Sequence, residues 1–211
     1  MTFTTSDGVL LEGEFRMPDE TPRASAVICH AHPRHGGSKD HPILWAIRNE
    51  LAGKRGFGTL GFNFRGTMGS EGEHGGGRHE VEDVRAAIGA VRERAEGPTV
   101  VVGWSFGANV ALREAYDDER VAALALVGLP LRPSDLMLPP LPPASELPRL
   151  NRPILFLTGE HDEYCPADEL RAYANDLAEV VIVDGVDHYL SKKEREAASS
   201  IGDFAFRVAM R

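Results

Sequence analysis

Short, continuously apolar runs recur along the chain, each four to seven residues long and several bounded by glycine or proline. They are Ala24–His30, Thr59–Phe64, Thr99–Val102, Val121–Val127, Ile154–Thr158 and Val180–Val183. Strands that expose one face alternate apolar and polar positions. Strands covered on both faces do not, and these runs read as the second kind. Segments with helical spacing separate them. From Pro42 to Lys54, Ile43, Leu44, Ile47 and Leu51 fall on one face, with Pro42 in the first turn. From Glu80 to Glu96, Val81, Val84, Ile88 and Val91 form an apolar side opposite charged residues. Ala108–Ala115, Asp168–Ala178 and Ser191–Met210 complete the helical set. At the N-terminus, Phe3–Thr5 and Val9–Phe15 flank Asp7-Gly8 and predict a β-hairpin. The alternation predicts one α/β domain over residues 1–211. It has a mainly parallel sheet, an N-terminal antiparallel hairpin and helices on both faces.

One stretch breaks the rhythm. Pro130–Pro153 holds eight of the fourteen prolines, which excludes a regular helix or a central strand there. Its place after an apolar run predicts a loop on the carboxyl side of the sheet, folded over the site. It is too short for a full helical cap, so the cleft beneath should be shallow and open.

Composition narrows the setting. With 211 residues the chain can bury a sizeable single core. A net charge of −9, without a Lys/Arg cluster, argues against nucleic acid as a partner. No run reaches transmembrane length, and the first residues lack the basic and apolar regions of a signal peptide. Cys29 and Cys165 form no C-x-x-C pair, and together these features predict free thiols in a cytoplasmic protein.

Chemistry enters at Gly103-Trp104-Ser105-Phe106-Gly107, a G-x-S-x-G between an apolar run and a helical segment. A serine on a sharp strand-to-helix turn presents its hydroxyl clear of the sheet. Flanking glycines let strand and helix approach closely. Such a serine needs a base and an orienting acid. In strand–helix hydrolases these follow in the order Ser, Asp or Glu, His. His161 and His188 are the histidines after Ser105. His188 sits beyond the last apolar run, at the sheet edge where sites form, and is the expected base. Asp162, on Gly159–Pro166, is the expected acid; Glu160 and Glu163 are its neighbours, and Asp184 and Asp187 read as turn formers. The oxyanion donors are expected from the backbone of Phe106 and of the loop His30–Gly37. Pro33 has no N–H, which leaves Arg34 as the second donor.

At these residues the chain resembles the α/β-hydrolase superfamily, and within it the small bacterial hydrolases related to dienelactone hydrolase. The matching segments are His30-Ala31-His32-Pro33-Arg34-His35-Gly36-Gly37, Asn63-Phe64-Arg65-Gly66-Thr67-Met68-Gly69-Ser70-Glu71-Gly72, the Ser105 elbow, Asp162 and Asp187-His188. Ala31 stands in place of a proline, and Thr67-Met68-Gly69 carries an extra residue. The resemblance implies a capless serine hydrolase acting on a small ester or thioester through an acyl-enzyme, without cofactor or metal. Peptidase, acyltransferase and lactonase activity would use the same three residues. A non-catalytic binding protein on the same fold is the reading from another class. His30, His32, His35 and His41 match no zinc spacing. Gly66–Gly77 lacks the G-K-[ST] of a phosphate loop, and Arg65 reads as a structural partner of Glu80 or Asp83.

Overall fold

A computed structural model describes residues 1–132, 138–174 and 178–210. In chain order the strands are β1 (Thr2–Thr4), β2 (Leu10–Arg16), β3 (Ala24–Cys29), β4 (Phe57–Phe62), β5 (Thr99–Trp104), β6 (Val121–Val127), β7 (Ile154–Gly159) and β8 (Ala178–Val183). The helices are α1 (Pro42–Arg55), α2 (Glu80–Arg92), α3 (Phe106–Glu114), α4 (Ala167–Tyr173) and α5 (Glu194–Ala209). The eight strands form one sheet in the order β1-β2-β4-β3-β5-β6-β7-β8. β1 and β2 are antiparallel, and β3 to β8 run parallel, as the hairpin and the apolar runs predicted.

Two cores lie on opposite faces of the sheet. Successive side chains on a strand point to opposite faces. Val27, Cys29 and Val101 therefore pack with α2, α3 and α4, whereas Ala26, Ile28, Val100 and Val102 pack with α1 and α5. Ile43, Leu44, Ile47 and Leu51 of α1 are buried, as are Val84, Ile88 and Val91 of α2. Among the described residues no helix is long and apolar enough to cross a membrane.

Several boundaries differ from the sequence expectation, each for a local reason. β4 ends at Phe62: Asn63 N–H still reaches the Glu12 carbonyl of β2 (2.9 Å), but the amides after it leave the sheet. Phe64 N–H donates to His30 Nε2 (3.0 Å) and Arg65 N–H to Asp83 Oδ2 (2.9 Å). The C-terminal helix starts at Glu194 rather than Ser191, because Leu190 (φ 54°) and Lys192 (φ 72°) are left-handed and cannot enter a right-handed helix. α2 stops at Arg92, four residues before Glu96. α4 ends at Tyr173, since Ala174 is already extended (ψ 148°); residues 175–177 of the expected helix lie outside the described residues.

The proline-rich stretch is a larger correction. Its longer described part, 138–153, contains a 3-10 helix, Ala144–Leu150, and lies beside α3 and α4, while Leu131 and Arg132 donate their amides to the Tyr164 carbonyl (3.0 and 3.3 Å). Asn109 Nδ2 donates to the Pro139 carbonyl (3.0 Å) and Tyr173 Oη to the Pro142 carbonyl (2.7 Å). None of residues 138–153 lines the cavity at Ser105, so this part does not fold over that serine. Residues 133–137 lie outside the described residues.

Candidate functional site

Ser105 follows directly on β5 and is the N-cap of α3, with φ 55° and ψ −113°. A non-glycine residue in that region carries strain of about 1–3 kcal/mol, held in place by its surroundings. Here the Ser105 N–H donates to the Val127 carbonyl (2.8 Å), and the Ser105 carbonyl accepts from Ala108 and Asn109. The flanking glycines are required by contact. A Cβ on Gly103 would stand 2.4 Å from the Gly107 carbonyl oxygen, and one on Gly107 would stand 2.5 Å from the Cys29 carbonyl oxygen.

Asp162 lies just after β7, and His188 on the loop after β8; both are buried. Every position around the Asp162 carboxylate is used. Oδ2 accepts from His188 Nδ1 (2.8 Å) and Thr158 Oγ1 (3.0 Å), and Oδ1 accepts from the amides of Tyr164 and Cys165 (both 2.9 Å). Burial pushes this carboxyl up, but the His188 contact and the other donors outweigh it and hold the group below its ordinary range. An ionised Asp162 only accepts hydrogen bonds, so the Nδ1 of His188 carries the proton. In a neutral imidazole so oriented, Nε2 bears the lone pair, which is the tautomer a base requires. His161, the other histidine after Ser105, is solvent-exposed beside Glu160.

Ser105 and His188 line one cavity of about 50 Å³, room for a few water-sized groups. Ala31, His32, His41, Trp104, Tyr164 and Tyr189 contribute to its wall. Phe106 opens α3, so its N–H has no acceptor within the helix. The Arg34 amide behaves differently from the expectation. It donates to His32 Nδ1 (3.2 Å), and Arg34 does not line the cavity. The turn Pro33–His35 points that N–H back into its own loop.

Three residues at the site were not singled out from the sequence. Gly128, at φ 54° just after β6, lies against the acid–base pair. A Cβ there would sit 2.8 Å from His188 Cε1 and 3.2 Å from Asp162 Oδ2. Its position right after an apolar run was the available signal. Thr158 braces Asp162 and the Cys165 carbonyl (2.9 Å) through one hydroxyl. Trp104, the first variable position of G-x-S-x-G, donates its indole N–H to the His188 carbonyl (3.2 Å).

The histidines and charged residues nearby have structural partners. His30 Nδ1 donates to the Ala31 carbonyl (2.6 Å) while Nε2 accepts from Phe64. Arg65 binds Asp83 and Asp7, not Glu80. Glu80 instead holds the amides of Gly75 and Gly77 (2.7 and 2.8 Å). Among the described residues no three His, Cys, Asp or Glu side chains gather as a metal site. Cys29 and Cys165 are free and buried. Burial raises both thiols, Cys165 to about 12, which makes them inert as nucleophiles near neutral pH.

A family model described as an alpha/beta hydrolase domain matches residues 24–206. The chain belongs to this α/β-hydrolase family. Its fold is also that of solved members. An alpha-beta serine hydrolase homologue from Coxiella burnetii is 26% identical, with a TM-score of 0.78 over 98% of this chain and 95% of that one. A serine hydrolase without lid from Xanthomonas campestris is 22% identical, with a TM-score of 0.81 over 98% and 93%. An uncharacterized protein of Rickettsia prowazekii is 23% identical over 208 residues, covering 94% of this chain and 85% of its own length. Like the Xanthomonas protein, this α/β-hydrolase has no cap among its described residues.

Proposed function

We propose that this α/β-hydrolase is a serine hydrolase that cleaves small carboxylic esters or thioesters through Ser105, His188 and Asp162. The observation that carries the reading is the 2.8 Å contact between Asp162 Oδ2 and His188 Nδ1, with His188 sharing a cavity with a serine on a strained elbow. Serine hydrolase and esterase neighbours of the same fold, including an esterase from Pyrococcus furiosus (18% identical, TM-score 0.81, 98% of this chain and 89% of that one), support the same class.

In this scheme His188 Nε2 takes the Ser105 proton as Oγ attacks the carbonyl carbon. The charge that develops on the carbonyl oxygen meets the Phe106 N–H. A second amide from Ala31 or His32, both of which line the cavity, replaces the Arg34 amide first expected there. The tetrahedral intermediate collapses, the alcohol or thiol leaves with the proton from His188, and an acyl-Ser105 ester remains. His188 then takes a proton from water, hydroxide adds to the acyl carbon, and Ser105 departs reprotonated. Asp162 stays ionised and stabilises the imidazolium. A cavity of about 50 Å³ suits short acyl groups.

The test is turnover of a short-chain p-nitrophenyl ester and a matched acyl thioester. Ser105→Ala should lose activity by several orders of magnitude while remaining folded, and Asp162→Asn should lose about 10³- to 10⁴-fold in kcat. Unchanged turnover in the serine variant would overturn the assignment.

A further inference from the structure

The base is held at two ends, and only one hold belongs to the triad. Asp162 fixes the ring of His188 through Nδ1. The backbone of the same residue is fixed from the opposite side of the sequence. Trp104, immediately before Ser105, donates its buried indole N–H to the His188 carbonyl (3.2 Å). Its ring also stands 6.0 Å from the His188 ring. We propose that Trp104 is a positioning residue that sets the His188 loop in register with the nucleophile, so that serine and base move as one unit. This inference rests on the triad reading given above.

Three observations make the hydrogen bond more than packing. First, the loop it holds carries strain. Leu190, two residues on, is buried at φ 54°, where a bulky side chain is uncommon. Such a loop needs external contacts to keep one conformation. Second, the loop's other hydrogen bonds run elsewhere: Tyr189 N–H donates to Asp187 Oδ1 (3.0 Å) and Leu190 N–H to the Asp187 carbonyl (3.2 Å), while the Val186 carbonyl accepts from His161 N–H (2.9 Å) beside the acid. They shape the turn and join it to the Asp162 segment, but do not tie it to Ser105. Third, the indole itself is closely packed. Trp104 is buried, and His41 lies against it with ring centres 4.3 Å apart. Its Cα is set by β5, the same strand that delivers Ser105. A rigid donor on the nucleophile strand thus fixes the acceptor on the base loop. Misplacing a base by about 1 Å can cost up to about 100-fold in rate.

The experiment removes the N–H while keeping the ring. Site-specific replacement of Trp104 by 3-benzothienylalanine exchanges the indole nitrogen for sulfur at nearly the same shape, and Trp104→Phe is the genetic counterpart. The readouts are kcat and KM for a p-nitrophenyl ester, and the NMR resonance of the His188 Nδ1 proton. In the benzothienyl protein kcat should fall about tenfold with KM within twofold, and the His188 proton signal should broaden or shift. Unchanged kcat and an unchanged resonance in the folded benzothienyl protein would overturn the proposal. A resonance response to the replacement, in a protein whose wild type turns over no ester, would support the positioning and overturn the esterase reading. If Trp104→Phe does not fold, the benzothienyl protein alone decides.

Discussion

Gly128 leaves no space between β6 and the His188–Asp162 pair. It is left-handed, and a methyl group there would overlap His188 Cε1 and Nδ1 at 2.8 and 2.9 Å. Gly128→Ala should therefore displace the base while the fold survives. We expect kcat to fall about 100-fold or more, with a folded near-UV circular dichroism spectrum. A Gly128→Ala enzyme of normal kcat would show that the pair tolerates displacement and is not the working base. His30 gives a second residue-scale prediction, on stability. Burial lowers it from 6.5 to about 4, partly offset by its bond to the Ala31 carbonyl. The unfolded chain takes up a proton as pH falls through 6.5, and the folded protein not until about 4, so stability is lost on acidification in that window. At about 1.4 kcal/mol per unit, His30 contributes roughly 3 kcal/mol of that loss. Urea unfolding at about pH 7 and about pH 4.5 should show the difference, and His30→Gln should shrink it. An equal loss in both proteins would remove His30 as its cause. That Ser105, His188 and Asp162 fall at one edge of the sheet was readable from order along the chain, because elbow and sheet edge fix where such residues fall. Gly128, Thr158 and Trp104 were not readable, because their partners are brought close only by the sheet. Arg34 falls outside the site because the missing N–H of Pro33 is visible in sequence, whereas the direction of the next N–H is not.

At the scale of elements, the apolar runs foretold the parallel strands because burial on both faces leaves little room for polar residues. Helix ends were less legible. The start of α5 depends on the left-handed Leu190 and Lys192, neither of which is a residue that favours that conformation. The first turn of α3 is in very tight contact with the end of β3, with Gly107 packed on the Cys29 and His30 carbonyls. Gly107→Ala must force these backbones apart. Thermal unfolding should show a loss of about 3 kcal/mol or more, which for a chain of this size is roughly 6–12 °C in Tm. A variant as stable as the parent would mean that the elbow is looser than its geometry. Residues 138–153 of the proline-rich segment pack on α3 and α4 and do not line the cavity. Pro140→Ala should accordingly leave kcat/KM for short esters within about twofold. A large change in chain-length preference would instead make this segment a wall of the site.

For the whole molecule, topology does the assembling. Ser105 comes from the end of β5, Asp162 from beyond β7 and His188 from beyond β8, and in a parallel sheet these ends share one edge. The two core layers hold that edge rigid, and the cavity needs no cap to be formed. The fold is shared with bacterial proteins whose sequences have drifted to about one residue in four, one of them the Xanthomonas hydrolase without lid. Activation of this particular serine is the step on which the proposed chemistry depends. Labelling with a fluorophosphonate, read by intact mass and peptide mapping, asks for it directly. One adduct per chain is predicted, on Ser105, lost in Ser105→Ala and strongly slowed in His188→Ala. A folded wild-type protein that takes up no label, or takes it up elsewhere, would contradict the proposed triad.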